Sequence, residues 1–288
     1  MKKGKSENVK KLVDDWCQSF FAFPHFHFFT LEMLEVKNIS INYGVCAVVQ
    51  NVSFTLRTGK IVALLGSNGA GKTTLLKSLN GGLPAAQGEI FLDGKDLNGY
   101  SRREIARKIA VIAQENETKF PITVLEFVLS GRFAHGTAFG WETTGDLQIA
   151  LDCLQICDLA GFENRLMNHL SGGERQRAVL SRALATEAEI LLLDEPTANL
   201  DLAHQAMMFR LINERCKNNH SSAIVITHDL NLASEFADEI LLLKDGKILA
   251  KGEPLEVLTG ENLQTVFNVK VLLDENPVSK KRRVTTIY

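Results

Sequence analysis

Eight consecutive residues, Gly66-Ser67-Asn68-Gly69-Ala70-Gly71-Lys72-Thr73, restrict this chain more than any other stretch. They fit G-x-x-x-x-G-K-[ST] in full, with the apolar run IVALL before them and the helix-forming TLLKSL soon after. A loop of this kind needs a buried strand handing over to a helix. Its glycines let backbone N–H groups turn inward around phosphate oxygens, and the helix N-terminus adds a fixed positive end. Lys72 is then placed for the β- and γ-phosphates, the Thr73 hydroxyl for Mg²⁺, and Thr74 for the α-phosphate side.

The remaining pattern agrees with such a sheet. LEVKNISINYG and VSFTLRTG alternate apolar and polar residues and close on Gly44 and Gly59, as half-buried strands do. Gly88–Leu97 reads as a hairpin about Asp93-Gly94. Ser101 is placed to cap a basic helix, REIARKIA, whose charges form a solvated face. Val111–Ala113 reads as a short strand; Thr123–Gly131, Leu147–Leu159, Ser171–Leu184 and Ala203–Lys217 read as helices. EILLLDEP (189–196) and SAIVITHD (222–229) are buried strands of parallel type, and 239–252 is a terminal hairpin turning at Asp245-Gly246. Strands alternating with helices predict an α/β fold around a largely parallel sheet. No internal repeat is visible, so one nucleotide-binding unit is expected and not a tandem pair.

Composition removes several other classes. The chain has 288 residues, 45% hydrophobic and 23% charged, with a net charge of -2, which excludes disordered and fibrous proteins. No apolar run reaches the roughly 18 residues a membrane helix needs. Lys+Arg 32 against Asp+Glu 34 gives no polybasic signal for nucleic acid. Cys17, Cys46, Cys153, Cys157 and Cys216 match no zinc or redox spacing and read as reduced, buried thiols.

Two further segments carry chemistry. The run Ile190–Leu193 ends in Asp194-Glu195, and carboxylates at the C-terminal edge of a parallel sheet lie at the usual ligand crevice. Asp194 is read as a Mg²⁺ residue and Glu195 as the group that polarises an attacking water. Leu170-Ser171-Gly172-Gly173-Glu174-Arg175-Gln176 opens a helix on a serine and two glycines. It is a second anion-binding terminus in a chain whose one nucleotide already has its phosphate loop. That surplus is explained if the second terminus serves the nucleotide of another copy.

With the phosphate loop and Asp194-Glu195-Pro196, this segment resembles the ATP-binding cassettes of the ABC transporter family. The resemblance covers nearly all of residues 34–252. It implies a P-loop NTPase fold with a mostly parallel central sheet, an N-terminal antiparallel β-subdomain and a helical subdomain carrying the signature. It also implies ATP and Mg²⁺ as ligands, sandwiched in a homodimer where Ser171, Gly172, Gly173, Glu174 and Asp201 act in trans. Tyr43 matches the aromatic that stacks on adenine, and Gln114 the glutamine that contacts Mg²⁺ and water and senses the membrane partner. Asn199-Leu200-Asp201 matches the loop crossing the dimer interface, and His228 the switch histidine that contacts the γ-phosphate and holds Glu195 and the water. FPITVLEFVLSGRFAH (120–135) is similar to the ATPases of iron-siderophore, haem and cobalamin importers. The likeness implies two integral-membrane permease subunits, a substrate-binding protein, and a peripheral place on the cytoplasmic face of the inner membrane, with haem or ferric siderophore as cargo.

The ends and one insertion stand outside the resemblance. Residues 1–32 carry an early lysine cluster and then FFAFPHFHFF, a texture unlike the rest. An interfacial anchor, a metal or haem site at His25 and His27, and an upstream extension ahead of Met33 are the competing readings; the extension is preferred. The domain then spans 33–270, with a helical subdomain at about 115–170 and a tail at 271–288; GTAFGWETTGD (136–146) is an insertion. A soluble ABC ATPase of translation or DNA repair would show two cassettes or a long coiled-coil arm, for which the spacing leaves no room. A small-molecule kinase would have no use for Leu170–Gln176.

Overall fold

The structure is a computed structural model that describes residues 32–113, 121–136, 143–197, 200–218 and 221–287. The N-terminal extension, Cys17, His25, His27, Gln114, Asn199 and residues 137–142 of the insertion lie outside the described residues. The chain forms two compact units. One gathers Glu115–Glu187 and Thr197–Arg210; the other gathers Leu31–Gln114, Ala188–Pro196 and Leu211–Tyr288.

The larger unit holds two main sheets. β1 (Glu32–Tyr43), β2 (Cys46–Arg57), β4 (Gln87–Leu92) and β5 (Lys95–Asp96) make an antiparallel sheet in the order β2-β1-β4-β5. The second sheet runs β10-β9-β3-β8-β7-β6, from β3 (Ile61–Gly66), β6 (Ile109–Ile112), β7 (Ile190–Asp194), β8 (Ser222–Ile226), β9 (Glu239–Lys244) and β10 (Lys247–Gly252). Its strands are parallel except at β10, which returns from β9 as a hairpin. All six residues of β3 are buried, as a strand covered on both faces requires. Its alternation divides them: Val62 and Leu64 join a cluster with Leu34, Leu56, Leu75 and Ile224, while Ala63 and Leu65 join Ala233, Leu258 and Leu263 on the other face.

Helix α1 (Lys72–Leu79) follows β3 directly, and α2 (Arg102–Lys108) starts on a Ser101/Glu104 capping box. The helix expected over REIARKIA stops at Lys108, because Ile109 and Ala110 are drawn into β6 beside Ile190 and Leu191. The hairpin of β9 and β10 is not terminal. Beyond it come α8 (Pro254–Val257), α9 (Gly260–Phe267) and the hairpin β11 (Lys270–Glu275) with β12 (Arg282–Ile287). Val284 and Leu273 from that hairpin pack into the cluster under β3.

The smaller unit is helical. α3 (Val124–Leu129) and the 3₁₀ turn Ser130–Arg132 replace the single helix expected over Thr123–Gly131. α4 (Thr144–Ile156) begins earlier than Leu147, because Thr143 and Asp146 form a capping box. α5 (Gly172–Ala185) packs against both, and Gly131 lies so close that an added Cβ would meet the Arg182 carbonyl at 2.4 Å. Arg132, buried, donates to Asp146 at 2.8 Å and to Glu187 at 2.7 Å, joining the ends of three elements. Cys153, Cys157 and Cys216 are buried and in no disulfide among the described residues, the latter two pushed up to about 12 by burial. Cys46, expected among them, is exposed on β2. α6 (Leu202–Asn218) and α7 (Leu230–Phe236) complete the helices. No helix among the described residues is long and apolar enough to cross a membrane.

Candidate active site

The site is built at one edge of the parallel sheet. β3, β7 and β8 run the same way, so Gly66, Asp194 and Ile226 end together, and the residues after each strand emerge side by side.

The phosphate loop is shaped by its glycines. Gly71 caps α1 in the left-handed region (φ 95), and a Cβ there would press the Val48 carbonyl at 2.8 Å. Only glycine meets both demands. The contact also sets the β1–β2 hairpin against the loop. Tyr43, at the end of that hairpin, is half-exposed, as a ring offered for stacking would be.

Lys72 is buried, and its Nζ donates to the carbonyls of Gly66 at 2.8 Å and Ser67 at 3.0 Å. Burial lowers its pKa, while the charges of Glu195 and Asp194 act to raise it. Thr73 Oγ1 donates to Asp194 Oδ2 at 2.8 Å. Asp194 is 3% exposed, and its other oxygen, Oδ1, is buried with no hydrogen-bond partner among the described residues. Burial raises the Asp194 pKa against the Thr73 hydrogen bond, and the charge of Glu195 raises it further. A buried carboxylate oxygen without a partner, next to a hydroxyl, is an oxygen donor set suited to a hard divalent cation.

Glu195 continues the β7–β8 pairing by one hydrogen bond, its N–H to the Ile226 carbonyl at 3.0 Å. The backbone then turns left-handed, with φ 49. Its Oε1 accepts from His228 Nε2 at 2.8 Å, so the imidazole carries its proton on that nitrogen. Lys72, Thr73, Asp194, Glu195 and His228 are thus linked through contacts within the larger unit.

The signature lies in the smaller unit. Ser171 caps α5 by accepting the Glu174 N–H at 3.3 Å, and Glu174 Oε2 accepts the Ser171 N–H at 2.7 Å. The Ser171 side chain also hydrogen-bonds the Glu174 carboxyl, which closes the box. Asp201 caps α6; its Oδ1 accepts the His204 N–H at 2.9 Å and His204 Nδ1 at 2.7 Å. Gln205 adds a hydrogen bond to the Leu200 carbonyl at 3.1 Å. His204, Gln205 and Arg132 were not among the residues expected from the sequence. Hydrophilic residues in a first helical turn were the available signal for the first two; the Arg132 contacts have none.

The ABC transporter family model matches residues 49–198, a span that runs from β2 through the carboxylates after β7. The hemin import ATP-binding protein HmuV of Deinococcus radiodurans is 39% identical, covering 85% of this chain and 93% of its own. The ferric enterobactin transport ATP-binding protein FepC of Escherichia coli is 33% identical, covering 85% and 91%. Among solved structures, a metal-chelate type ABC transporter in an inward-facing conformation matches with a TM-score of 0.77 and 31% identity, over 90% of this chain and 98% of that one. The ATP-binding cassette MJ0796, a dimer bound to ADP and Pi, matches with a TM-score of 0.70 and 29% identity, over 77% and 99%. By its fold, its phosphate loop and these relatives together, the chain belongs to the ABC transporter family as an ATP-hydrolysing cassette.

Proposed function

We propose that this chain is the motor subunit of an importer for haem or ferric siderophore, working as a homodimer on two permease subunits with a substrate-binding protein outside. The observation that carries the motor is the linked set Lys72, Thr73–Asp194 and Glu195–His228 at one sheet edge. In this reading the chain sits on the cytoplasmic face of the membrane, held there by its permease. The cargo follows the relatives, since a motor subunit does not touch what is carried. Cobalamin is the second cargo of the same group.

The chemistry assigns each residue one task. The buried Lys72 ammonium supplies positive charge to the β- and γ-phosphates. Thr73 and Asp194 are the residues that would hold Mg²⁺, joined by Gln114; a bound Mg²⁺ supplies charge that neutralises phosphate oxygens. Glu195 takes the proton of a water that attacks the γ-phosphorus in line, as the bridging bond to ADP breaks with its electron pair on the ADP oxygen. His228 fixes the Glu195 carboxylate through its Nε2–H. Ser171, Gly172 and Gly173 of the twin grip the same γ-phosphate, with Glu174 capping that helix, and Asp201 borders the interface. Loss of the γ-phosphate releases that grip. Tyr43 stacks on adenine, while Ser67, Asn68, Gly69, Ala70 and Thr74 line the remaining phosphates.

The reading is tested by expressing the chain with the membrane proteins encoded beside it and reconstituting what co-purifies. Vanadate-sensitive ATP hydrolysis that rises when haem or a ferric siderophore on its binding protein is added supports it. ATPase activity indifferent to every membrane partner overturns the importer.

A further inference from the structure

Glutamate at the fourth signature position sets an electrostatic problem. Glu174 folds back so that Oε2 caps the Ser171 N–H at 2.7 Å. A carboxylate there suits the helix dipole. It also puts a negative charge at the terminus that, in the proposed dimer, must receive a γ-phosphate. The Ser171 hydrogen bonds hold the Glu174 carboxyl below its usual range, with Arg165 and Arg177 adding to the effect, so the charge is present at neutral pH.

Arg165 is placed to answer that charge. Its N–H donates to the Phe162 carbonyl at 2.9 Å and its own carbonyl accepts from Val124 N–H at 2.8 Å, while the next residue, Leu166, bridges to Thr123. The backbone is therefore fixed on both sides. Its guanidinium stacks on the Phe162 ring, 3.9 Å from the centroid, and Nη1 stands 4.0 Å from Glu174 Oε1. The two carboxylate oxygens are thus divided, one to the cap and one toward Arg165. Arg177, the other nearby cation, is buried one turn along α5, whereas the Arg165 side chain is about half in solvent.

We propose that Arg165 is a positioning residue of the nucleotide sandwich: it offsets the Glu174 carboxylate, so that the Ser171 terminus accepts the γ-phosphate of the twin's ATP. This rests on the two-sided grip described above. A glutamine at position 174 makes the same cap without the charge, and needs no such counter-ion.

The test is a double-mutant cycle in the hydrolysis-blocked Glu195→Gln chain, following dimer formation by sedimentation as ATP is titrated. Arg165→Ala should raise the ATP concentration for half-dimerisation about tenfold. Glu174→Gln added to Arg165→Ala should return it to within about twofold of the Glu195→Gln parent. Thermal midpoints are measured on the same samples. A lowered midpoint with an unshifted ATP dependence makes Arg165 a structural residue and overturns the proposal. A penalty that survives in the Glu174→Gln background overturns it too, since Arg165 then does not act through that carboxylate. A Glu195→Gln parent that stays monomeric at saturating ATP instead overturns the two-sided grip itself.

Discussion

Glu195 occupies a backbone conformation that a side chain of its size rarely takes, and two hydrogen bonds hold it there. The N–H donates to the Ile226 carbonyl and the carboxylate accepts from His228. Such a residue stores about 1–3 kcal/mol of strain, which persists only when its surroundings over-determine it. The return is a carboxylate already oriented when water arrives. Glu195→Gln keeps the shape and removes the proton acceptor, so turnover should fall roughly 10²–10³-fold while ATP stays bound. Rapid-quench hydrolysis of labelled ATP checks this, and near-normal turnover removes Glu195 from the role proposed for it. Much at this scale was legible because it is local: the phosphate loop and the strand-end carboxylates announce themselves within a few residues. The unpaired Asp194 Oδ1 was not, since it depends on how separate strands end together; the Glu195–His228 bond was expected only through the family resemblance, not from any local pattern.

The elements tell a similar story of local signals kept and distant ones lost. β3, β7 and β8 read correctly from continuous apolar runs, because a strand buried on both faces leaves no other pattern. α4 was placed late because the Thr143/Asp146 box was passed over, although its spacing is visible in the sequence. Glu253, Pro254 and Glu256 likewise announced α8. The β11–β12 hairpin was hidden by the basic run Lys280–Arg283, where charged residues interrupt strand alternation. In the helical unit, the stretch that resembles importer ATPases turns out to be largely internal bracing: Gly131 against Arg182, Arg132 on Asp146 and Glu187, and His135 on the Thr186 carbonyl. Burial alone would raise the Asp146 carboxyl, but Arg132 and Thr143 outweigh it and bring it from 3.8 to about 2. Its folded value is depressed, so the stabilisation is complete above 3.8 and is lost as pH falls toward about 2. Asp146→Asn should therefore lower the thermal midpoint at neutral pH by removing one of the two carboxylates on Arg132, Glu187 remaining, at a cost of about 2 kcal/mol. It should also flatten the acid dependence in that window. Circular dichroism melts of both proteins between pH 2 and pH 7 check the pair of outcomes.

For the molecule as a whole, the physics of transport reduces to whether gripping ATP and moving a partner are one event. Strand β3 adds a consequence of its own. Neighbouring residues of this one strand belong to opposite hydrophobic clusters, and the phosphate loop hangs from its last residue. Neither cluster can therefore melt while leaving its neighbour, or the nucleotide grip, standing. In a urea series, the fading of fluorescent-ATP binding and the collapse of the sheet signal should trace one curve with one midpoint. A grip that vanishes well before the sheet would mean the loop is anchored less deeply than its strand implies.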